Sequence, residues 1–300
     1  MHGAPAQLEA AGNFGQTAAM APTSQRPLDH CVLPVASLAS ARTRLAALGF
    51  NVAPEGVHPF GTANACVYFA DGTFLEPLAQ ADARAEAEAA NAGNVFAARD
   101  IEHRRGHGDD GFSAVVFGTA DAAADHGRFV RAGISAGPVL DFSRDFVGAD
   151  GRLDEAGFRL AFAADPQGPG CFFFTCQRIG VPKVDRAALQ VHANGVVGIR
   201  SVVLAATDPD RFTPLLAEVA GDAGPAGSAI ELLAKERFRE RFGTVPAGDL
   251  AAGAIVFTVT DMAAASALLA AGNVDAEVRD GLTIVHPVPG QGAVFAFEEQ

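Results

Sequence analysis

The sequence predicts an α+β protein built from repeated βαβββ modules, with two module pairs in one chain. Three observations predict it. A strand–helix unit recurs at Leu28–Phe50, Phe112–Ile134, Ile199–Gly221 and Gly253–Gly272, each an apolar strand-length run, a residue suited to capping a helix, an Ala/Leu-rich run and then Gly. In the first copy Asp71-Gly72 separates two apolar runs, Asn64–Ala70 and Thr73–Ala79, which is a strong hairpin signal. The chain has 300 residues, 49% hydrophobic and 19% charged, enough to bury a substantial core as one large or two ordinary domains.

Taken in order, residues 1–25 are rich in Ala, Gly, Gln and Pro and read as a disordered leader, without the basic and apolar regions of a secretory signal. The first module pair spans 26–180. Phe50–Ala53 is expected to add a short strand, Glu55–Gly61 a loop, Gln80–Asp100 a helix, and Ile101–Gly111 a polar loop. The second module adds strands at Gly137–Phe142, Gly157–Ala164 and Cys171–Gln177, with Ser143–Ala156 as a polar loop. Residues 178–197 read as a linker, and a degenerate second pair occupies 195–300. Its third module is truncated, with one later strand near Ala229–Ala234. Its fourth is compact, with strands at Ala276–Arg279, Leu282–His286 and Ala293–Glu298.

The formal charge of −13 argues against nucleic acid or an anionic membrane surface as partner. No apolar run reaches the roughly 18–20 residues that span a bilayer. The four cysteines, Cys31, Cys66, Cys171 and Cys176, form no CxxC pair and read as small buried thiols of a cytoplasmic protein. A nucleophile elbow, a phosphate loop and a dinucleotide fingerprint are all missing.

Only the first module carries a histidine and a glutamate at matching places. Alternation along its first strand sets Leu28, His30, Val32 and Pro34 on one face, and Asp29, Cys31, Leu33 and Val35 on the other, which suits packing against helices. In the last strand Phe74, Glu76 and Leu78 share a face. A carboxylate inside FLEPL needs a proton, a partner or a metal to be buried. Imidazole plus carboxylate suits a divalent ion, and it equally suits a hydrogen-bonded core pair. His58, Thr62 and Asn64 lie in GVHPFGTAN, either as loop architecture or as a cleft rim. His192 and Asn194 in HANG read as linker anchors.

The segments LDHCVLPVASLASARTRLAALGF and GVHPFGTANACVYFADGTFLEPLA resemble the vicinal oxygen chelate superfamily, and within it the glyoxalase-like domain proteins. CFFFTCQ and HANGVVGI resemble the same branch. The resemblance implies paired βαβββ modules forming half-barrel sheets, a small-molecule substrate, and a divalent metal (Zn, Mn, Ni, Co or Fe) held by His30 and Glu76. It also implies Glu76 as the catalytic residue, with His58, Thr62 and Asn64 contacting substrate. The implied activity is a lyase or isomerase working through a metal-stabilised enolate. The alternative is a non-catalytic binding or sequestration protein, and an extradiol-type dioxygenase ranks lower. A homodimer is allowed, because such modules pair within or between chains. The second module departs from the pattern. The counterpart of His30 falls at Ser113 or Ala114, and that of Glu76 at Phe174 or Thr175. The third module has Ser201 and Glu231 at the two places.

Overall fold

The computed structural model describes residues 25–147, 153–168, 170–180, 185–221 and 230–300. The leader expected over residues 1–25 therefore lies, Gln25 apart, outside the described residues. The first half runs β1 (Leu28–Pro34), α1 (Leu38–Ala47), β2 (Gly56–Val57), β3 (Thr62–Asn64), β4 (Val67–Tyr68), β5 (Phe74–Gln80), α2 (Ala83–Asn91) and α3 (Val95–His107). It continues through β6 (Ala114–Gly118), α4 (Ala122–Arg131), β7 (Leu140–Val147), β8 (Leu153–Ala163) and β9 (Phe172–Ile179). After a 3-10 turn at Ala187–Gln190 come β10 (Val196–Ala206), α5 (Pro209–Ala220), β11 (Ile230–Ala234) and α6 (Lys235–Phe242). The chain ends with β12 (Leu250–Val259), α7 (Met262–Ala271), β13 (Glu277–Arg279), β14 (Leu282–Val285) and β15 (Val294–Glu299).

The capping residues of the repeat act as expected in three copies. Ser37, Asp121 and Asp261 accept hydrogen bonds from the backbone N–H of Ser40, Ala124 and Ala264. Asp208 sits at the same place before α5 without such a bond.

Two curved sheets result, in the half-barrel style of the fold class. The first has the order β2-β3-β5-β1-β6-β9-β8-β7, with β4 also on β5. At its centre β1 pairs in parallel with β5 and antiparallel with β6, which pairs in parallel with β9. The two modules thus complete one sheet within a single chain. The second sheet, β11-β10-β12-β15-β14-β13, repeats the central pattern.

One face of each sheet packs on the other half. Cys31, Leu33, Val35, Phe69, Phe117 and Phe173 join Phe50, Phe257, Phe295 and Phe297 in one continuous core. Each fully buried aromatic there contributes about 2–3 kcal/mol of transfer free energy. The opposite face of the first sheet carries Val32, Leu78, Val116, Phe172 and Phe174 in a second cluster. Alternation along CFFFTCQ therefore splits its aromatics, Phe173 to the shared core and its two neighbours to the cleft side. Among the described residues no helix is long and apolar enough to cross a membrane.

Several element boundaries differ from expectation. The strand expected over Asn64–Ala70 is two short ones in unbroken register with β5. The gap at Ala65–Cys66 faces Pro77, which has no N–H to donate to the ladder, although its carbonyl still accepts from Ala65 at 3.2 Å. Phe50–Ala53 forms no strand, and the backbone N–H of Asn51 bonds to His192 instead. The helix expected over Gln80–Asp100 is divided at Gly93 (φ +94°), and α3 then runs on to His107, into the stretch expected as a polar loop. The loop expected at Ser143–Ala156 is largely the long hairpin of β7 and β8. The charged run Lys235–Arg241, which reads from the sequence as a solvated helix or edge, is helical in α6 as that reading allows, with Phe238 and Phe242 fully buried beneath it.

The linker histidine is an anchor. His192 accepts from Asn51 N at Nδ1 (3.0 Å) and donates from Nε2 to Tyr68 O (2.9 Å), and burial lowers its pKa so that it stays neutral. Asn194 donates to Leu48 O at 2.8 Å and accepts from Val196 N. Both side chains tie the second half to the first.

Candidate active site

His30 and Glu76 meet as alternation requires, because β1 and β5 are parallel neighbours in register, Val32 opposite Glu76. His30 Nε2 lies 3.2 Å from Glu76 Oε2. The other carboxylate oxygen accepts from Asn64 Nδ2 at 2.6 Å, and His58 Nε2 stands 3.7 Å from it. His58 Nδ1 is 2.8 Å from Thr62 Oγ1, and its Nε2 is 3.4 Å from the Asn64 amide. An amide donating to both neighbours makes His58 the Nδ1–H tautomer, with Thr62 as its acceptor.

The loop that delivers His58 depends on Gly61. Its φ is +92°, and a Cβ there would sit 2.5 Å from Glu86 N and 2.6 Å from Asp82 O. The Gly61 carbonyl accepts from both Ala81 N and Asp82 N, docking the loop onto the start of α2.

A residue assigned to the packing face joins the site instead. The register of β1 against β6 shifts between Leu28 and His30, and this irregularity turns Asp29 toward its neighbour. Asp29 Oδ1 lies 2.9 Å from His30 Nδ1 and accepts from Arg178 Nη2 at 2.6 Å. The result is a chain of alternating charges, Arg178–Asp29–His30–Glu76, buried from Asp29 inward with Arg178 at its exposed end. Phe74 stacks on the His30 ring at 4.3 Å, and Phe174 meets it edge-on at 5.7 Å.

The electrostatics follow from these partners. Burial opposes the charge on Glu76, yet the hydrogen bond and charge of His30, with the Asn64 amide, prevail and hold its pKa at about 2. Burial likewise opposes charge on His30, and the hydrogen bonds to Asp29 and Glu76 overcome it, so its pKa is raised. Asp29 is lowered by His30 and Arg178 against its burial. His58 is the contrast. Burial, with Arg144 and His30 nearby, brings it down to about 4 despite Glu76, so it is neutral.

The group opens into a narrow cleft of about 70 Å³. Phe60, Phe74, Phe96, Phe142, Phe158 and Phe174 form the apolar lining, and Arg144, Arg178 and Arg186 the cationic part. Of the expected site residues, His30, His58, Asn64 and Glu76 line the cleft. Thr62 is fully buried behind His58 and holds that ring rather than a ligand. Sequence reasoning missed Asp29, Arg178, Arg144 and Arg186. The carboxylate in LDH and the arginine following CFFFTCQ were the available signals for the first two.

The local pseudo-twofold that exchanges β1/β5 with β6/β9 carries His30 onto Ala114 and Glu76 onto Phe174, since Ala114 pairs with Phe172 as His30 pairs with Phe74. Half of a two-module ligand set is thus hydrocarbon. A metal site of this chemistry takes at least three side-chain ligands. Among the described residues no three His, Cys, Asp or Glu side chains form a group able to hold one. The residues present do not fit a resident metal ion. In the second sheet the counterpart place is closed by an ion pair, Glu231 accepting from Ser201 and from Arg241 of α6, each at 2.5 Å.

The model of the glyoxalase-like domain family matches residues 28–220, most of the chain. The chain belongs to the glyoxalase-like domain family. It is a vicinal oxygen chelate protein by fold as well. A hypothetical protein from Staphylococcus aureus aligns over 91% of this chain and 99% of its own, at 11% identity and a TM-score of 0.60. The Mn(II)-bound glyoxalase from Novosphingobium aromaticivorans aligns over 92% and 83%, at 10% identity and 0.53. A catechol 2,3-dioxygenase aligns over 92% and 88%, at 12% identity and 0.53. At such identities the likeness is one of fold. No curated protein matches the sequence.

Proposed function

We infer that this glyoxalase-like protein is an enzyme that moves a proton on a small oxygenated organic molecule. The observation that carries the reading is the buried Glu76 carboxylate with the imidazole Nε2–H of His30 at 3.2 Å, facing an aromatic-lined cleft. A buried carboxylate of this kind costs several kcal/mol to desolvate and is retained here among donors aimed at it. A ligand carbonyl oxygen that takes the His30 N–H leaves Glu76 with fewer donors, which raises its basicity. Glu76 then accepts the proton from the carbon beside that carbonyl. His30, held protonated by Asp29, stabilises the oxygen on which the charge collects. The Asn64 amide orients the carboxylate, His58 accepts from that amide at Nε2, and Thr62 positions His58.

The reading of His30 and Glu76 as ligands of a divalent ion draws on the Mn(II)-bound glyoxalase of similar fold. It calls for a third donor, and Ala114 and Phe174 stand where the second module would supply one. The proton-transfer reading needs only side chains that the cleft contains. A second reading, a binding protein without catalysis, is favoured by the same apolar substitutions and by the low pKa of Glu76.

Exchange of carbon-bound protons in D₂O, followed by NMR over small 2-oxo acids and α-hydroxycarbonyl compounds, separates the two. The enzyme reading expects exchange with the parent protein and a loss of about 100-fold or more in Glu76→Gln. Compounds that bind without exchanging would establish the binding protein instead.

A further inference from the structure

The inner cleft continues into an outer groove of about 830 Å³, and the two share His58, Asn64, Cys66, Tyr68, Arg144 and Arg186. The charges within the cleft are unevenly matched. Asp29, protonated His30, Glu76 and Arg178 neutralise one another through the contacts described above. Arg144 and Arg186 have no carboxylate partner among the described residues, although the chain as a whole carries a formal charge of −13. The acidic side chains of the outer groove are placed otherwise, Glu55 lying 3.7 Å from Arg42 and Asp145 exposed on β7.

Both guanidinium groups are braced by rings. Arg186 lies 4.3 Å over Tyr68, and Arg144 lies 5.5 Å over Phe158. Room for Arg144 is kept by Gly56, where a Cβ would come within 2.6 Å of Arg144 Nη1 and 2.7 Å of Asn64 Oδ1. One glycine thus lets a cation and an active-site amide approach each other. A half-buried, ring-braced arginine without a counterion is suited to a planar anion supplied by the ligand. Beyond this pair the lining is aromatic, with Phe60 edge-on to Phe142 at 5.2 Å and Phe96 edge-on to Phe174 at 6.0 Å.

We propose that Arg144 and Arg186 dock the carboxylate of the ligand, so that this cleft takes small aromatic carboxylic acids whose other, oxygenated end reaches His30 and Glu76. This deepens the function proposed above and rests on that reading of the cleft. The carboxylate would lie at the junction of cleft and groove, and the ring among the phenylalanines.

The test is calorimetric titration with benzoate, phenylacetate and 3-phenylpropionate beside their primary amides, which match them in shape and lack the charge. At least one acid is expected to bind ten or more times tighter than its amide. The Arg144→Gln/Arg186→Gln double variant should erase that preference while changing amide affinity less than twofold. Its unfolding midpoint, compared with the parent, checks that the fold is kept. Equal affinity for acid and amide, equal loss of both in the variant, or no binding of any acid would overturn the proposal. The proton-exchange assay fails or succeeds separately. An acid that binds through the arginines without exchange leaves the docking site standing and removes the enzyme, whereas exchange on neutral ketones without any preference for acids does the reverse.

Discussion

The parent protein should lose stability relative to Glu86→Gln as pH rises from about 4.5 to above 7. Glu86 of α2 is fully buried and faces Asp100 of α3, which is held at 2.7 Å by Arg104. Its Oε2 accepts from Gln80 at 2.6 Å, while Glu86 Oε1 and Asp100 Oδ1 have no donor between them. One proton on Glu86 satisfies both atoms. Burial, then the hydrogen bond and charge of Asp100, raise the Glu86 pKa to about 7 against the opposing effects of Gln80 and Arg104. A pKa raised from 4.5 to about 7 means that the folded state holds a proton the unfolded chain releases. The stabilisation is complete below pH 4.5 and is lost as pH rises through 7. At 1.36 kcal/mol per pH unit, the loss amounts to about 3 kcal/mol. With about 2.1 cal/mol/K of unfolding entropy per residue, a 300-residue chain converts this into about 5 °C of Tm. Glutamine keeps the acceptor for Gln80 and supplies a permanent donor to Asp100, with nothing to titrate. Urea unfolding of parent and Glu86→Gln at pH 4.5, 6 and 8 reads the difference. Equal stability at pH 4.5 and a variant ahead by about 3 kcal/mol at pH 8 is the expected outcome. Parallel pH profiles would refute the shared proton.

Gly61→Ala should destabilise by at least about 2 kcal/mol, since the left-handed backbone and a Cβ 2.5 Å from Glu86 N are both unfavourable. The same variant should weaken ligand binding through His58, as calorimetry would register, and an unaltered affinity would show that the loop does not set the site. His192→Ala removes two hydrogen bonds between the halves and should cost about 1–3 kcal/mol in denaturant unfolding, with cleft affinity unchanged. Metal analysis of protein passed through a desalting column after incubation with Mn²⁺, Zn²⁺, Ni²⁺ or Fe²⁺ should find far less than one ion per chain. Stoichiometric metal that vanishes in His30→Ala and in Glu76→Ala would overturn the two-donor reading.

Much of the first half was legible because its signals are local. Period-two alternation put His30 and Glu76 on the faces that the sheet then brought together, and Asp71-Gly72 marked the hairpin between them. Asp29 was misassigned by the same rule, since alternation assumes a regular strand and the register shift beside it breaks that assumption. The interruption at Ala65–Cys66 could not be read from its own residues. Its cause is Pro77 on the partner strand, twelve positions after Ala65, and only pairing reveals which carbonyl loses its donor.

The sequence by itself determined the repeat, three of its four caps and the sheet faces of His30 and Glu76, because each depends on neighbours a few positions away. It also excluded the motifs of other chemistries. Only the tertiary structure decided what surrounds that pair. Arg178 reaches Asp29 across 149 positions, and Arg144 and Arg186 arrive from segments whose sequences read as a polar loop and a linker. The register of β6 and β9 puts Ala114 and Phe174 where the second module could have offered ligands. Charge neutralisation and ligand completion are sums over groups distant in the chain, and such sums exist only once the sheet has closed.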